Sequence, residues 1–534
     1  MSDAPGRHPA KKRQRPAGTR PGSAVDRRTP MTGRRTPMTG RRTPVAGRPT
    51  PVAGPARGGS GSPERGGTGG HERGGTGSPE RPPRSGRRVP GAVSALAALL
   101  AVITAAGVWA YRDLEGNLHS ADVDAKIGDE RPPRTSPGSK NILVVGSDSR
   151  AGADAGYGRG HTTMHSDTLL VLHLAANREW ATVVSFPRDS WVEVPACDRG
   201  DGTTSGPHHA KINEAFAIGG AGGEVSRAAA CAVKAVERNT GLRIDHFMSV
   251  DFQGFKGMVD ALDGVRVCPT AAIRDQKARL DIPAGCQTVR GEDALGYVRA
   301  RYGVGDGSDL GRVGRQQEFM RALAARAKEK LTSPGALYGL LESATGSLTT
   351  DEALAGIRPL YGLVSRLRAI PSDRLAFVTV PNYPRGMDVP SDTANVVWQY
   401  PEAAELFLSL TRDREVRAEA VAAAGRNPLY AGTVRVRVLD GTGTPGLAEE
   451  VAGSLRGYGF TVAGTGSADE AGTGAGTGAG ADAGAATSVV HPAGLARQAR
   501  ALASRLPGST VTESADAPEG LVTLTVGEDF GGTR

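Results

Sequence analysis

Short apolar runs recur from residue 141 onward, each stopping or starting at a charged residue, and they set the expected order of elements. Residues 141–146, 167–174 and 180–186 have strand length and are rich in Val, Leu and Thr. After a long loop, apolar positions recur at helical spacing over roughly 211–238. A strand is expected from His246, a helix over Phe252–Leu262 and a further strand over Val265–Cys268. Tyr297-Val-Arg-Ala-Arg reads as extended, with a helix opening near Asp309, a strand over 375–381 and a helix over 401–424. Beyond Gly425 the pattern repeats in miniature: strands near 433–439, 460–463, 488–490 and 520–526, and helices near 447–458 and 494–506. This is an α/β order, a sheet covered by helices.

One stretch breaks the alternation. Gly91 to Tyr111 is 21 residues without a charge, flanked by Arg87 and Arg88 before it and by Arg112 and Asp113 after it. That length spans a bilayer core as a helix. It lies too deep in the chain for a cleaved signal peptide, so it reads as a retained signal-anchor, residues 89–112 with its flanks. The positive-inside rule then puts the N-terminus in the cytoplasm and residues 113–534 outside the cell membrane.

Composition splits along the same line. Residues 1–88 hold 20 Lys/Arg against five Asp/Glu, so the formal charge of +9 and the basic pI belong to this tail, and the rest of the chain carries about −6. The tail is rich in Gly, Pro, Arg and Thr, repeats Arg-Arg-Thr-Pro, and has too few apolar side chains to build a core, so disorder is expected. It has no helix-turn-helix pattern or interleaved aromatics, which argues against a specific nucleic-acid partner. Residues 113–139 end in a Pro-rich run and read as a stalk, 140–424 as the main domain with a helical extension, and 425–534 as a small α/β domain interrupted by a Gly/Ala/Thr segment at 464–487.

The candidate chemistry sits at strand ends. Asp148, Arg150, Asp167, Arg188 and Asp189 all fall where the apolar runs stop or start, and carboxylates beside guanidinium forks suit a hard divalent cation held against a phosphate. A second cluster, Arg299, Arg301, Arg312 and Arg315 with Asp309 and Gln316, describes a socket for a strongly anionic group. Arg299 and Arg301 share one face of an extended segment, and Arg312 and Arg315 lie a turn apart at a helix start. His161 and His165 lack the glutamate of a zinc-protease helix, and Gly472–Gly480 lies in low-complexity sequence with no preceding strand, so neither is assigned chemistry. All four cysteines follow the apolar stretch, which fits an oxidising compartment. Four cysteines permit three pairings; Cys268 with Cys286, closing a hairpin-like loop, and Cys197 with Cys231 is the expected set.

Taken in order, Gly-Ser-Asp-Ser-Arg, Ser-Asp-Thr, Ser-Phe-Pro-Arg-Asp, Lys-Ile-Asn-Glu-Ala, Tyr-Val-Arg-Ala-Arg and Asp-Leu-Gly-Arg-Val-Gly-Arg-Gln-Gln resemble the LytR-CpsA-Psr family of cell-wall glycopolymer ligases, over residues 140 to about 385. The small C-terminal domain resembles the one often appended to actinobacterial members. The resemblance implies a three-layer α-β-α domain with a mixed central sheet, holding a polyprenyl-pyrophosphate-linked glycopolymer in an apolar channel and transferring it to peptidoglycan. It implies Mg²⁺ or Mn²⁺ on Asp148 and Asp167. Arg150, Arg188, Arg299, Arg301, Arg312, Arg315 and Gln316 would bind the pyrophosphate, and Asp148, Asp167, Arg188, Asp189 and Asp309 would act in catalysis, with pyrophosphatase activity on the side. Residues 215–218, 247–255 and 319–327 are candidate channel walls. The competing readings are a membrane-anchored transcriptional attenuator and a lipid-binding scaffold without turnover.

Overall fold

The computed structural model describes residues 90–147, 164, 166–300, 309–330, 334–468 and 486–533. Helix α1 (Pro90–Gly116) comes first. It is long and apolar enough to cross a membrane, and it leaves Leu96, Leu99, Ile103 and Trp109 exposed, which a water-soluble helix would bury.

The main domain is built on one mixed seven-stranded sheet. Its strands, in chain order, are β1 (His119–Ala121), β2 (Lys140–Ser147), β3 (Ser166–Leu174), β4 (Ala181–Phe186), β5 (His246–Val250), β6 (Leu348–Asp351) and β7 (Leu375–Thr379). Across the sheet the order is β1-β6-β5-β2-β3-β4-β7. Pairs β2/β5, β4/β7 and β1/β6 are parallel, and the other three are antiparallel. The ladder register brings the end of β2, the start of β3 and the ends of β4, β5 and β7 to one edge. Loops leaving that edge can converge on a ligand, as in other sheets whose strands end together.

The two faces of the sheet are filled differently. Leu143, Val145, Val171 and Val184 point to one face and are each 0% exposed. They pack under α2 (Ile212–Gly219) and α3 (Val225–Thr240), with Trp180, Trp398 and Phe407 completing the core. On the other face the alternating neighbours Val144, Leu170 and Val183 are apolar yet only half-buried. This second layer consists of α4 (Phe252–Ala261), α5 (Gly291–Arg299), α6 (Asp309–Lys330), α7 (Pro334–Thr345) and α8 (Ile357–Ala369). A separate cluster (Val259, Val265, Tyr297, Phe319 and neighbours) stabilises that layer from within, so it stands off the sheet instead of collapsing onto it. At the start of α4 the Asp251 carboxylate accepts the Gly254 N–H at 2.7 Å, an N-cap. Gly254 is needed there, because a Cβ would lie 2.1 Å from the Ser347 Cβ.

Both expected disulfides are present, Cys197–Cys231 and Cys268–Cys286, and the second staples the hairpin region between α4 and α5. Helix α9 (Glu402–Thr411) and α10 (Ala418–Gly425) lead into a five-stranded sheet of β8 (Arg435–Asp440), β9 (Thr461–Ser467), β10 (Ser488–His491), β11 (Thr510–Glu513) and β12 (Val522–Val526), ordered β9-β8-β12-β10-β11. Helices α11 (Leu447–Gly457) and α12 (Ala496–Ala503) cover it around Val436, Val438, Leu455 and Leu524.

Several sequence expectations give way. Residues 113–139 are no free stalk: β1 pairs with β6 as the edge strand, and the Arg131 guanidinium meets the buried Glu237 carboxylate at 2.7 Å. The helix expected over 211–238 is broken at Gly220–Gly223, where Gly223 adopts φ +78°. The helix over 401–424 is likewise two helices. Arg299 closes α5, so it is not on an extended segment with Arg301; Gly291 to Arg299 carries Ala294, Leu295 and Tyr297 on one buried helical face. β11 had no apolar alternation to announce it, since all four residues are exposed.

Candidate active site

Ser166 and Asp167 begin β3 at the edge where β2, β4, β5 and β7 end, and the turn after β4 delivers Pro187-Arg-Asp-Ser to the same place. Proline ends the strand by removing a ladder donor. The turn is then fixed by its neighbours: the Ser190 hydroxyl donates to Pro187 O at 2.6 Å and accepts from the Trp398 indole N–H at 2.9 Å. The Asp189 carbonyl accepts the Val396 N–H at 3.0 Å, and the Ser190 carbonyl accepts the Ile212 N–H at 2.9 Å.

The side chains form an alternating chain of charge. The Arg188 Nη1 lies 3.2 Å from Asp167 Oδ1 and its Nε 3.4 Å from Asp189 Oδ2. Lys211 Nζ sits 2.7 Å from Asp189 Oδ1 and donates to Ala394 O at 3.2 Å. Asp189 is therefore gripped by two cations and holds the guanidinium in place, while Arg188 keeps part of its fork toward Asp167. Lys211 escaped the residue-by-residue reading. Its signal was its place at the head of Lys-Ile-Asn-Glu-Ala, and only the short strand His208–Lys211, paired with Trp191–Val194, turns it toward Asp189.

Next to this charge chain the two layers enclose a cavity of about 460 Å³. Its walls are Val144, Leu170 and Val183 from the sheet and Phe255, Met258 and Leu323 from α4 and α6; Asp167, Arg299, Lys277 and Gln316 supply polar lining. The Arg299 guanidinium stacks 4.5 Å over the Phe252 ring, which keeps it beside the apolar wall. The wall expectations divide accordingly: 247–255 and 319–327 contribute, whereas Phe216 is core under the opposite face and Ala215 packs in the small cluster around Cys197 and Cys231.

Of the other expected anion ligands, Gln316 donates to Val298 O at 2.9 Å and Arg315 to Ala300 O at 2.6 Å. Both clamp the end of α5, and burial lowers the affinity of the Arg315 guanidinium for its proton. Arg315 thus acts on the backbone carrying Arg299 and does not line the cavity. Asp148, Arg150 and Arg301 lie outside the described residues, and Asp309 and Arg312 belong to the first turn of α6, where the side chains are not described. Asp167, Arg188 and Asp189 are brought together, and Arg299 and Gln316 line the same cavity as Asp167.

Two family models match this chain: the LytR_cpsA_psr family over residues 110–412, and the LytR cell envelope-related transcriptional attenuator domain over 433–530. Among curated proteins, the probable cell wall biosynthesis protein LcpB of Corynebacterium glutamicum is 39% identical over 231 residues, covering 40% of this chain and 48% of that protein. LcpA of the same organism, a cell wall biosynthesis protein, is 29% identical over 62% of this chain and 68% of its own. The polyisoprenyl-teichoic acid–peptidoglycan teichoic acid transferase TagT of Bacillus subtilis is 26% identical over 54% of this chain and 86% of its own. Of solved structures, the LytR-Csp2A-Psr enzyme from Actinomyces oris aligns with a TM-score of 0.40 at 19% identity, covering 55% of this chain and 96% of that one. The alignment with LcpB thus spans about half of that relative's length.

Proposed function

The chain belongs to the LytR_cpsA_psr family, and from that premise we propose that it is a phosphotransferase moving a glycopolymer from a polyprenyl-pyrophosphate carrier to peptidoglycan. The observation that carries this reading is the junction of an apolar cavity with a charged edge. Val144, Leu170, Val183 and Phe255 offer a prenyl chain a wall, and Arg188 and Arg299 stand where its pyrophosphate would emerge beside Asp167. Isoprenoid carbon gains by leaving water, and guanidinium forks match phosphate oxygens. The name of TagT, with its polyisoprenyl-linked donor and peptidoglycan acceptor, supports the same substrate pair.

In the proposed reaction an acceptor sugar hydroxyl attacks the phosphorus that bears the glycopolymer. The new O–P bond forms as the bond to the bridging oxygen breaks, and polyprenyl phosphate leaves with the electron pair. The hydroxyl proton passes to a site carboxylate, Asp167 or Asp189. Arg188 and Arg299 offset the charge that builds on the leaving phosphate, and their prior fixation by Asp189 and Phe252 means little reorganisation is needed in the transition state. No covalent enzyme intermediate is required. Water in place of the sugar would give pyrophosphatase activity.

A magnesium ion fits the chemistry of this edge. The Asp167 carboxylate is a hard donor, and next to it the Ser166 hydroxyl is buried without a hydrogen-bond partner, as is the side-chain oxygen of Asn213, two residues after Lys211. Asp167 with Asp148 would hold the ion, in the manner of magnesium sites built from one or two carboxylates and the substrate's own phosphates. When bound it would supply charge neutralisation at phosphate oxygens. Helix α1 would anchor the chain in the cell membrane, with the basic N-terminal side in the cytoplasm and the cavity outside, facing its lipid donor.

The test is polyprenyl phosphate release from a polyprenyl pyrophosphate by the full chain in nanodiscs with Mg²⁺, with and without a peptidoglycan acceptor. Metal-dependent release lost in Asp167→Ala and Arg188→Ala is expected. Lipid binding without release, indifferent to acceptor, metal and both substitutions, would leave a carrier and overturn the transferase.

A further inference from the structure

Among the described residues, the C-terminal domain contributes none to the cavity, yet it is tied to the turn that carries Arg188. The tie begins at a hairpin of Asn382–Pro384 against Val396–Trp398, whose second strand is the one that binds the Asp189 carbonyl and the Ser190 hydroxyl. At the tip of that hairpin Arg385 is 7% exposed. Its Nε donates to Asp392 at 2.8 Å, its Nη2 donates to Gly457 O at the end of α11 at 2.9 Å, and its guanidinium lies 5.1 Å from the Trp191 ring. Asp388, on the same hairpin, accepts the Gly432 N–H at 2.9 Å and the Tyr383 hydroxyl at 2.7 Å.

A second strut runs along the short strand that carries Lys211. His209, two residues earlier, meets the Tyr458 hydroxyl at 3.1 Å and stacks on Trp191. Tyr458 in turn lies under Arg505, which also covers Tyr400 at 3.9 Å. Gly459 lets the domains approach this closely: it adopts φ +93°, and a Cβ there would sit 2.7 Å from the Asp388 Cβ. Both struts therefore end on Asp189, one through Val396 and its carbonyl, the other through Lys211 and its carboxylate.

We propose that the C-terminal domain is a positioning element for the catalytic turn: docked through Arg385, Asp388 and His209, it holds the Pro187–Ser190 segment so that Asp189 aims Arg188 at the pyrophosphate. Arg385 is the positioning residue of this device. A surface appendage would need none of these buried polar ties; two of the three Arg385 nitrogens, Nε and Nη2, are hydrogen-bonded across them, while Nη1 is buried without a partner. The inference rests on the transferase reading for its kinetic consequence and on geometry alone for its structural one.

The experiment compares full-length wild type, Arg385→Ala, Arg385→Lys and Gly459→Ala in nanodiscs, measuring kcat and KM for polyprenyl phosphate release and amide exchange at residues 188–190. Release of the turn should lower kcat about tenfold or more with KM for the lipid little changed, because misplacement of about an ångström is costly to an oriented reaction. The 188–190 amides should exchange faster in Arg385→Ala and Gly459→Ala, and Arg385→Lys should recover part of kcat by keeping a cation over Trp191. Unchanged exchange at 188–190, or faster exchange with unchanged kcat, overturns the proposal. Should Arg385→Ala fail to fold, Gly459→Ala gives the same reading. A wild type that releases no phosphate contradicts the transferase, and the exchange arm still decides whether the domain holds the turn.

Discussion

Arg188→Ala is the substitution whose cost can be worked from charges already placed. In wild type the edge holds Asp167, Arg188, Asp189 and Lys211, two negative and two positive groups within bonded reach of one another. Removing the guanidinium leaves this group with one net negative charge facing a pyrophosphate. Arg188 is only 20% exposed, so screening by water is partial. One unit charge lost at about 5 Å, with an effective dielectric constant of about 20, is worth about 3 kcal/mol. If that interaction is felt chiefly in the transition state, transfer slows by roughly a hundredfold. Arg188→Lys keeps the charge and loses the fork that spans Asp167 and Asp189, so a drop of about tenfold is expected. The assay is initial-rate release of polyprenyl phosphate at fixed lipid and ionic strength, with KM followed separately. Rates for Arg188→Ala within threefold of wild type, or Arg188→Lys no better than Arg188→Ala, would refute the electrostatic account.

Three further outcomes are expected. Filling the cavity with Val183→Trp should raise KM for the lipid strongly while leaving kcat at saturation nearly intact; a fall in kcat alone would mean that the prenyl chain lies elsewhere. Glu237→Ala leaves the buried Arg131 guanidinium with only the exposed Asp124 carboxylate and the Ile244 carbonyl and also removes the acceptor of the Ile244 N–H, so unfolding free energy should drop by about 3 kcal/mol in denaturant titration, and a change under 1 kcal/mol would show this ion pair to contribute little to the fold. Burial lowers the pKa of His173, and also that of His209, where Arg505 and Arg385 add to the effect against Glu193. Neutral imidazole is thus the folded form. This contribution to stability is complete above the unfolded pKa of about 6.5 and is lost as pH falls below it. Thermal midpoints should decline from about pH 6.5 downward, and His173→Asn and His209→Asn should flatten that slope; an unchanged slope would dismiss both histidines as its source.

Elements with strong local signals are legible in the amino-acid order alone. Runs such as Asn141–Gly146 and residues 167–174 specify strands through their branched apolar side chains, Gly91–Tyr111 specifies a long apolar helix, and Pro187 fixes the end of β4. That order also placed Asp167, Arg188 and Asp189 at strand ends, because polar groups at the margin of an apolar run must leave the core. Tertiary structure decided what local pattern cannot encode. Val144 and Val145 read alike, yet one lines a cavity and the other is core, since that depends on how far α4 and α6 stand from the sheet. Arg299 and Arg315 also read alike, but helix α5 turns one to the cavity wall while the other is consumed by the Ala300 carbonyl. Lys211 and Arg385 gain their roles only from residues 22 and 72 positions away in the chain. Such pairings are set by long-range packing, where side-chain burial and hydrogen-bond satisfaction over the whole fold outweigh the preference of any single segment.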